Sequence, residues 1–279
     1  MPYTTTTDGT QLYYKEWGQG RPVLLMHGWP LTADSFDDMA LAIAKAGMRA
    51  IAYDRRGFGR SDQPWTGYDY DTFADDLAAV MKATDATQNA ALVGFSMGGG
   101  EVARYMSRHG GKGVISAALL SSVVPYMLQT DDNPEGVPQD QLDAIAKSVT
   151  EDRASFFATF FKQFYGVGII SHPVSSEVIQ ASWNVAMTAS LKATLACAQS
   201  FGFTDFRPDL SSFTVPTLVL HGTSDTVVPS GIGRNAANNP TAMARATECR
   251  LRCQRFGSCS SVPRKRKDLC SLMLVGSGM

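Results

Sequence analysis

Residues 90–109 read AALVGFSMGGGEVARYMSRH, and this stretch decides the fold. Ala90 to Phe95 is an apolar run of strand length, and about Gly98 to His109 carries helical spacing, so a buried strand passes into a helix with almost no connection. Gly94-Phe95-Ser96-Met97-Gly98 stands at that junction. Joining a strand to a helix so directly takes a sharp, strained turn, and the flanking glycines let the two backbones pass closely. The turn lifts Ser96 to the edge of the sheet as a candidate nucleophile. The Met97 N–H opens the helix, where backbone donors are unpaired and the dipole favours negative charge, so it is a candidate oxyanion donor.

On either side of this junction, short β-rich runs alternate with helical patterns, which predicts crossover connections and a mainly parallel sheet. Strands are expected at Gln11 to Trp17, Pro22 to Met26, Ala50 to Tyr53, Val114 to Val124 and Val215 to Leu220. Pro125 is expected to end the fourth of these, because proline cannot donate to the ladder. Helices are expected at Ala33 to Ala46, with Phe36, Met39 and Ile43 on one stripe, and at Thr72 to Ala83, with Phe73, Leu77, Val80 and Met81 on one side. Residues 126 to about 208 break the rhythm. They are helical and aromatic, with Phe156, Phe157, Phe160, Phe161, Phe164 and Tyr165 close together, and an insertion of that size is expected to lie as a lid over the strand C-terminal ends. A second oxyanion donor has to come from a loop after an earlier strand. His27-Gly28-Trp29-Pro30 follows Pro22 to Met26 in that place, which assigns the role to the Trp29 N–H and leaves His27 as a structural histidine bonding its own loop.

The chain has 279 residues, 44% of them hydrophobic and 18% charged, enough for one sizeable core. The first twenty residues hold no cationic segment followed by an apolar run, and no stretch is apolar for the length of a membrane span, so a soluble, cytoplasmic protein without a membrane partner is expected. The net charge of -1 hides an asymmetry: residues 1–229 carry sixteen basic and twenty-four acidic side chains, whereas residues 230–279 carry nine basic and two acidic ones. Four of the five cysteines also lie beyond Pro229. The chain therefore divides into residues 1–229 and an unlike tail, 230–279.

Four stretches together resemble the α/β-hydrolases of the non-haem haloperoxidase and arylesterase group. They are His27-Gly28-Trp29-Pro30, Asp54-Arg55-Arg56-Gly57-Phe58-Gly59-Arg60-Ser61, Gly94 to Gly99, and His221-Gly222-Thr223-Ser224-Asp225-Thr226-Val227-Val228-Pro229. The resemblance implies the α/β-hydrolase fold with flanking helices and a helical lid, and a catalytic order of Ser, Asp, His with Asp225 as the acid. An aspartate on a loop at a strand's C-terminal end suits that role, because it can orient an imidazole and stabilise its protonated form. As a bare turn, Ser224-Asp225 would also serve, since aspartate bonds its own backbone readily. Asp54 to Ser61 reads as a loop held by its charges and glycines. The implied activity is hydrolysis of small esters, with perhydrolysis, meaning peracid formation from a carboxylic acid and hydrogen peroxide, as a side reaction. No metal or organic cofactor is implied, and the group often forms homo-oligomers.

The pattern departs from the group at one point. A serine hydroxyl needs a base to take its proton, and histidine is the usual one. The chain has His27, His109, His172 and His221, and none follows Asp225, where the group places its base. His109 lies at the far end of the helix after Ser96, about 18 Å away at the helical rise. His221 ends a strand, and His172 lies in the insertion. The base is therefore unknown and activity is expected to be impaired. The tail shows neither a strand nor a helix period for long, so the last strand and closing helix are expected to be missing or aberrant, through a reading-frame shift or a divergent terminus, of which composition favours the former. Cys249, Cys253, Cys259 and Cys270 lack the paired short spacing of a zinc site, and the cluster Arg264-Lys265-Arg266-Lys267 on an acidic protein is weak ground for nucleic-acid binding; a disordered tail is expected instead. The alternative to an esterase is a non-catalytic small-ligand-binding protein on the same fold.

Overall fold

Eight strands form one sheet, as seen in a computed structural model of the protein that describes residues 2–237 and 246–251. The strands are β1 (Tyr3–Thr5), β2 (Gln11–Trp17), β3 (Arg21–Met26), β4 (Met48–Tyr53), β5 (Ala90–Phe95), β6 (Val114–Leu120), β7 (Thr217–Gly222) and β8 (Ala246–Leu251). Their spatial order is β1-β2-β4-β3-β5-β6-β7-β8. β1 and β2 run antiparallel to their neighbours and all the other pairs are parallel, so the sheet is mainly parallel, as expected. Every residue of β5 is buried, and so is β3 from Pro22 onward. Strands buried on both faces need helices on both faces, which the crossovers supply.

The crossover helices are α1 (Asp37–Lys45), α2 (Tyr70–Ala83) and α3 (Met97–Arg108), and α7 (Ser230–Ala237) follows β7. The stripes read from the sequence face the core: Met39, Ala40 and Ile43 on α1, and Phe73, Leu77, Val80 and Met81 on α2. α2 begins at Tyr70, two residues earlier than the periodicity predicts, because Asp69 caps it by accepting the Thr72 N–H at 2.9 Å. The helix expected over Ala33 to Ala46 is split, with a 3-10 turn at Ala33–Phe36 preceding α1. β6 stops at Leu120 and does not run to Val124. The chain leaves the sheet at Ser121, whose φ of 39° is left-handed, and Pro125 plays no part in ending it. β1 is only three residues long and buries none of them, and no strand is expected there from the sequence.

Between β6 and β7 lie α4 (Gln139–Phe164, kinked at Asp152), α5 (Ser176–Thr188) and α6 (Leu191–Phe203), the insertion anticipated at about 126–208. Among the described residues no helix is long and apolar enough to cross a membrane. Of the tail expected to lack its last strand and helix, α7 and the backbone of β8 are described, β8 running parallel to β7 from Thr217↔Ala246 to Gly222↔Leu251. The tail's four cysteine side chains and its basic cluster lie outside the described residues.

The loop Asp54 to Ser61 is held by charge. Buried Asp54 accepts the Ala33 N–H at 2.9 Å and the Arg60 N–H at 2.9 Å, and Arg56 forks onto Asp76 with two contacts of 2.6 Å while reaching Asp8 at 2.7 Å. The Arg56 bond is the main cause holding the Asp8 carboxyl well below its ordinary value of 3.8. A depressed folded-state value means that stability from this contact is complete above pH 3.8 and is lost as pH falls from there. The melting temperature of Asp8→Asn should therefore fall less steeply with acid below that pH than that of the parent chain. Equal slopes would show that Asp8 adds nothing.

Candidate active site

Ser96 follows β5 directly and precedes the first residue of α3, with φ 52° and ψ -118°. A positive φ in a residue with a side chain costs of order 1–3 kcal/mol, and it persists only where the surroundings impose it. They do so here: the Ser96 N–H donates to Leu120 O at 2.9 Å, and Ser96 O accepts the N–H groups of Gly99 at 3.0 Å and Val123 at 3.3 Å. The flanking glycines are required sterically. A Cβ on Gly94 would lie 2.4 Å from Gly98 O, and one on Gly98 would lie 2.2 Å from Met26 O. The turn thus brings the Ser96 side chain, half-buried, to the C-terminal edge of the sheet, with the Met97 N–H at the open end of α3.

The loop after β3 lies against this turn. A Cβ on Gly28 would stand 3.1 Å from Ser96 Cβ, and among the described residues no acceptor takes the Trp29 backbone N–H. Trp29 is clamped from above. Its indole Nε1–H donates to Thr194 O at 3.0 Å, and its ring meets Phe157 at 5.3 Å, Phe160 at 5.6 Å and Phe201 at 5.6 Å between centroids. Phe164 meets Phe95 at 6.1 Å. The aromatic run of the insertion therefore packs over the Ser96 turn and gives the site an apolar roof.

Asp225 lies on the turn after β7. β5, β6 and β7 are parallel neighbours, so Ser96 and Asp225 follow strands two places apart at the same C-terminal edge of the sheet. Asp225 Oδ1 accepts the N–H groups of Val227 and Val228, both at 2.9 Å, as a turn-forming aspartate does. Those bonds fix the carboxylate and leave Oδ2 facing His221 Nε2 at 3.6 Å. His221 is buried, and its Nε2 is 2.9 Å from Val228 O; among the described residues its Nδ1 finds no partner. Among the other histidines, His27 is wholly buried in its loop, His109 bonds Asp75 at 2.9 Å at the far end of α3, and His172 is exposed between α4 and α5. Among the described residues no group of three or more His, Cys, Asp or Glu side chains is placed to hold a metal.

A family model described as alpha/beta hydrolase fold matches residues 21–248. The chain belongs to the α/β-hydrolase fold family. Within it, the non-haem haloperoxidase group is the one it joins: it is 49% identical over 82% of its length to a putative non-heme chloroperoxidase of Synechocystis, of which the match covers 84%. A bifunctional esterase/perhydrolase of Acinetobacter calcoaceticus is 41% identical over 85% of this chain and 87% of its own. Among solved structures, the bromoperoxidase of Bacillus anthracis superposes with a TM-score of 0.85 at 39% identity, covering 90% of each chain. The chain is thus an α/β-hydrolase enzyme of the esterase and haloperoxidase kind.

Sequence reasoning did not foresee what lies beneath the turn in this α/β-hydrolase. Arg55, 1% exposed, pairs through Nε with Oε1 of Glu101, also 1% exposed, and Tyr53 Oη–H donates to Glu101 Oε2 at 2.8 Å. A signal was available: Glu101 lies four residues after Met97 on the helix face that turns inward, where an unpaired carboxylate is not tolerated.

Proposed function

We propose that this chain is a serine carboxylesterase acting on small, fairly apolar esters, with Ser96 as nucleophile and Asp225 in the acid position. The observation that carries the reading is the Ser96 turn, with its positive φ of 52° imposed by a strand, a helix and two glycines that admit no side chain. Ser96 Oγ attacks the ester carbonyl and forms the acyl-enzyme as the alcohol departs with a proton; water then releases the acid. The N–H groups of Met97 and Trp29 bind the oxyanion of both tetrahedral intermediates, and each such donor is worth roughly 10²–10³ in rate. With hydrogen peroxide in place of water, the acyl group leaves as a peracid, and the net reaction of acid with peroxide releases one water. The Acinetobacter relative's name supports this second outlet.

The missing base sets the level of activity. None of the four histidines follows Asp225, and His221 spends its Nε2 on Val228 O, so solvent is left to take the Ser96 proton. Turnover is therefore impaired in our reading. To test it, the chain is treated with a fluorophosphonate and the adduct mapped by mass spectrometry. A Ser96 adduct that disappears in Ser96→Ala is expected, forming slowly; an adduct elsewhere that persists in Ser96→Ala would overturn the assignment.

A further inference from the structure

Two fully buried unit charges stand beneath the two oxyanion donors, and stability alone is a poor reason for them. An apolar pair of similar volume is often as stable as a buried ion pair or more so. What the Arg55–Glu101 pair adds is direction. Glu101 belongs to α3, one turn after Met97, while Arg55 reaches into the loop that carries Trp29: its Nη2 donates to His27 O at 2.7 Å and its backbone N–H donates to His27 Nε2 at 3.0 Å. Because Nε2 accepts, the imidazole proton is assigned to Nδ1, which lies 2.9 Å from Gly28 O and donates to it. The Leu31 N–H donates to the same oxygen at 2.9 Å. Gly28 C=O and Trp29 N–H belong to one planar, trans peptide, so holding the carbonyl fixes where the N–H points.

We propose that Arg55, braced by Glu101, is a positioning residue that acts through His27 and the Gly28 carbonyl to aim the Trp29 N–H at the oxyanion, locking the donor loop to the helix that supplies the other donor. This rests on the reading of Ser96 as nucleophile. Burial and the Arg55 charge hold the His27 imidazole well below its ordinary range, so the ring stays neutral with Nε2 free to accept. Arg55 Nη1 approaches Nδ1 at 3.4 Å, too far to displace the bond to Gly28 O. Lysine cannot replace arginine here, since a single nitrogen cannot serve Glu101 and His27 O in the same fork geometry.

The test uses the whole chain labelled with 15N-tryptophan, which gives backbone cross-peaks for its four tryptophans, Trp17, Trp29, Trp65 and Trp183. Two variants are compared with the parent: Arg55→Lys, and Arg55→Met with Glu101→Leu, which removes both charges together and leaves neither orphaned. In each folded variant the Trp29 cross-peak should shift and its amide exchange faster, while the other three stay in place. Ser96-dependent hydrolysis of a short-chain aryl ester should lose about 10- to 100-fold in kcat, with KM within about twofold, as a misplaced catalytic group requires. An unchanged kcat in a folded variant overturns the proposal. If Ser96→Ala shows that no turnover depends on Ser96, the nucleophile assignment fails by itself and the Trp29 cross-peak alone decides: unmoved, it sinks the positioning role; displaced by itself, it upholds it.

Discussion

A chimera in which residues 230–279 give way to a segment with a histidine where the resemblance to the group implies the base is expected to raise aryl-ester turnover by roughly 10²–10⁴. The increment is what a positioned general base contributes. The parent chain keeps the Ser96 turn and the Met97 and Trp29 N–H groups proposed to bind the oxyanion. A serine hydrolase without one triad member retains about 10³–10⁴ over the uncatalysed reaction, so the parent should be faint and not silent. Steady-state rates for the parent, the chimera and Ser96→Ala of each decide the matter. If the parent already turns over at about 10 s⁻¹, an ordinary enzymatic rate, and Ser96→Ala abolishes it, another group serves as base; His172→Ala and His221→Ala then identify it. If neither parent nor chimera hydrolyses esters while a small apolar ligand binds beneath the aromatic roof, the ligand-binding alternative displaces the esterase.

The second large effect is structural. Arg56, with its side chain 1% exposed, forks onto Asp76, 2% exposed, through contacts of 2.6 Å from both Nε and Nη2. Arg56→Met would strand the Asp76 carboxylate inside the protein, and removing one partner of such a pair costs about 3–5 kcal/mol. For a chain of this size that corresponds to a melting temperature lower by roughly 10 °C. Thermal unfolding followed by circular dichroism measures it. Arg56→Met with Asp76→Leu should recover most of the loss, because then no charge is left unpaired. A single variant within about 1 °C of the parent would show that water or a rearranged side chain satisfies Asp76 and that the pair does not hold the loop.

Much of the site was legible because its parts are short and contiguous. The passage from strand to Ser96 to helix is written in twenty adjacent residues, and β5 falls on Ala90–Phe95 as read. Trp29 is placed by its position after a strand, which is also a local property, whereas Asp225 in the acid position is what the resemblance to the group implies. The helices of the insertion were visible as a break in rhythm, whereas the partner of their aromatic run was not. Only the folded chain shows that it closes over Trp29.

The sequence by itself determined where the strand passes through Ser96 into a helix, which loop follows the strand ending at Met26, and that no histidine follows Asp225. These depend on residue type and on spacing within one or two elements, where periodicity and turn chemistry leave few choices. Tertiary structure alone decided which buried charges meet. Arg55 and Glu101 are 46 residues apart and Arg56 and Asp76 are 20 apart. It also decided that β6 ends at Leu120 and that Asp225 spends one oxygen on its own turn while the other faces His221. Contacts across such separations follow from the order of strands in the sheet, and a hydrophobic pattern records which residues go inside without recording whom they meet there.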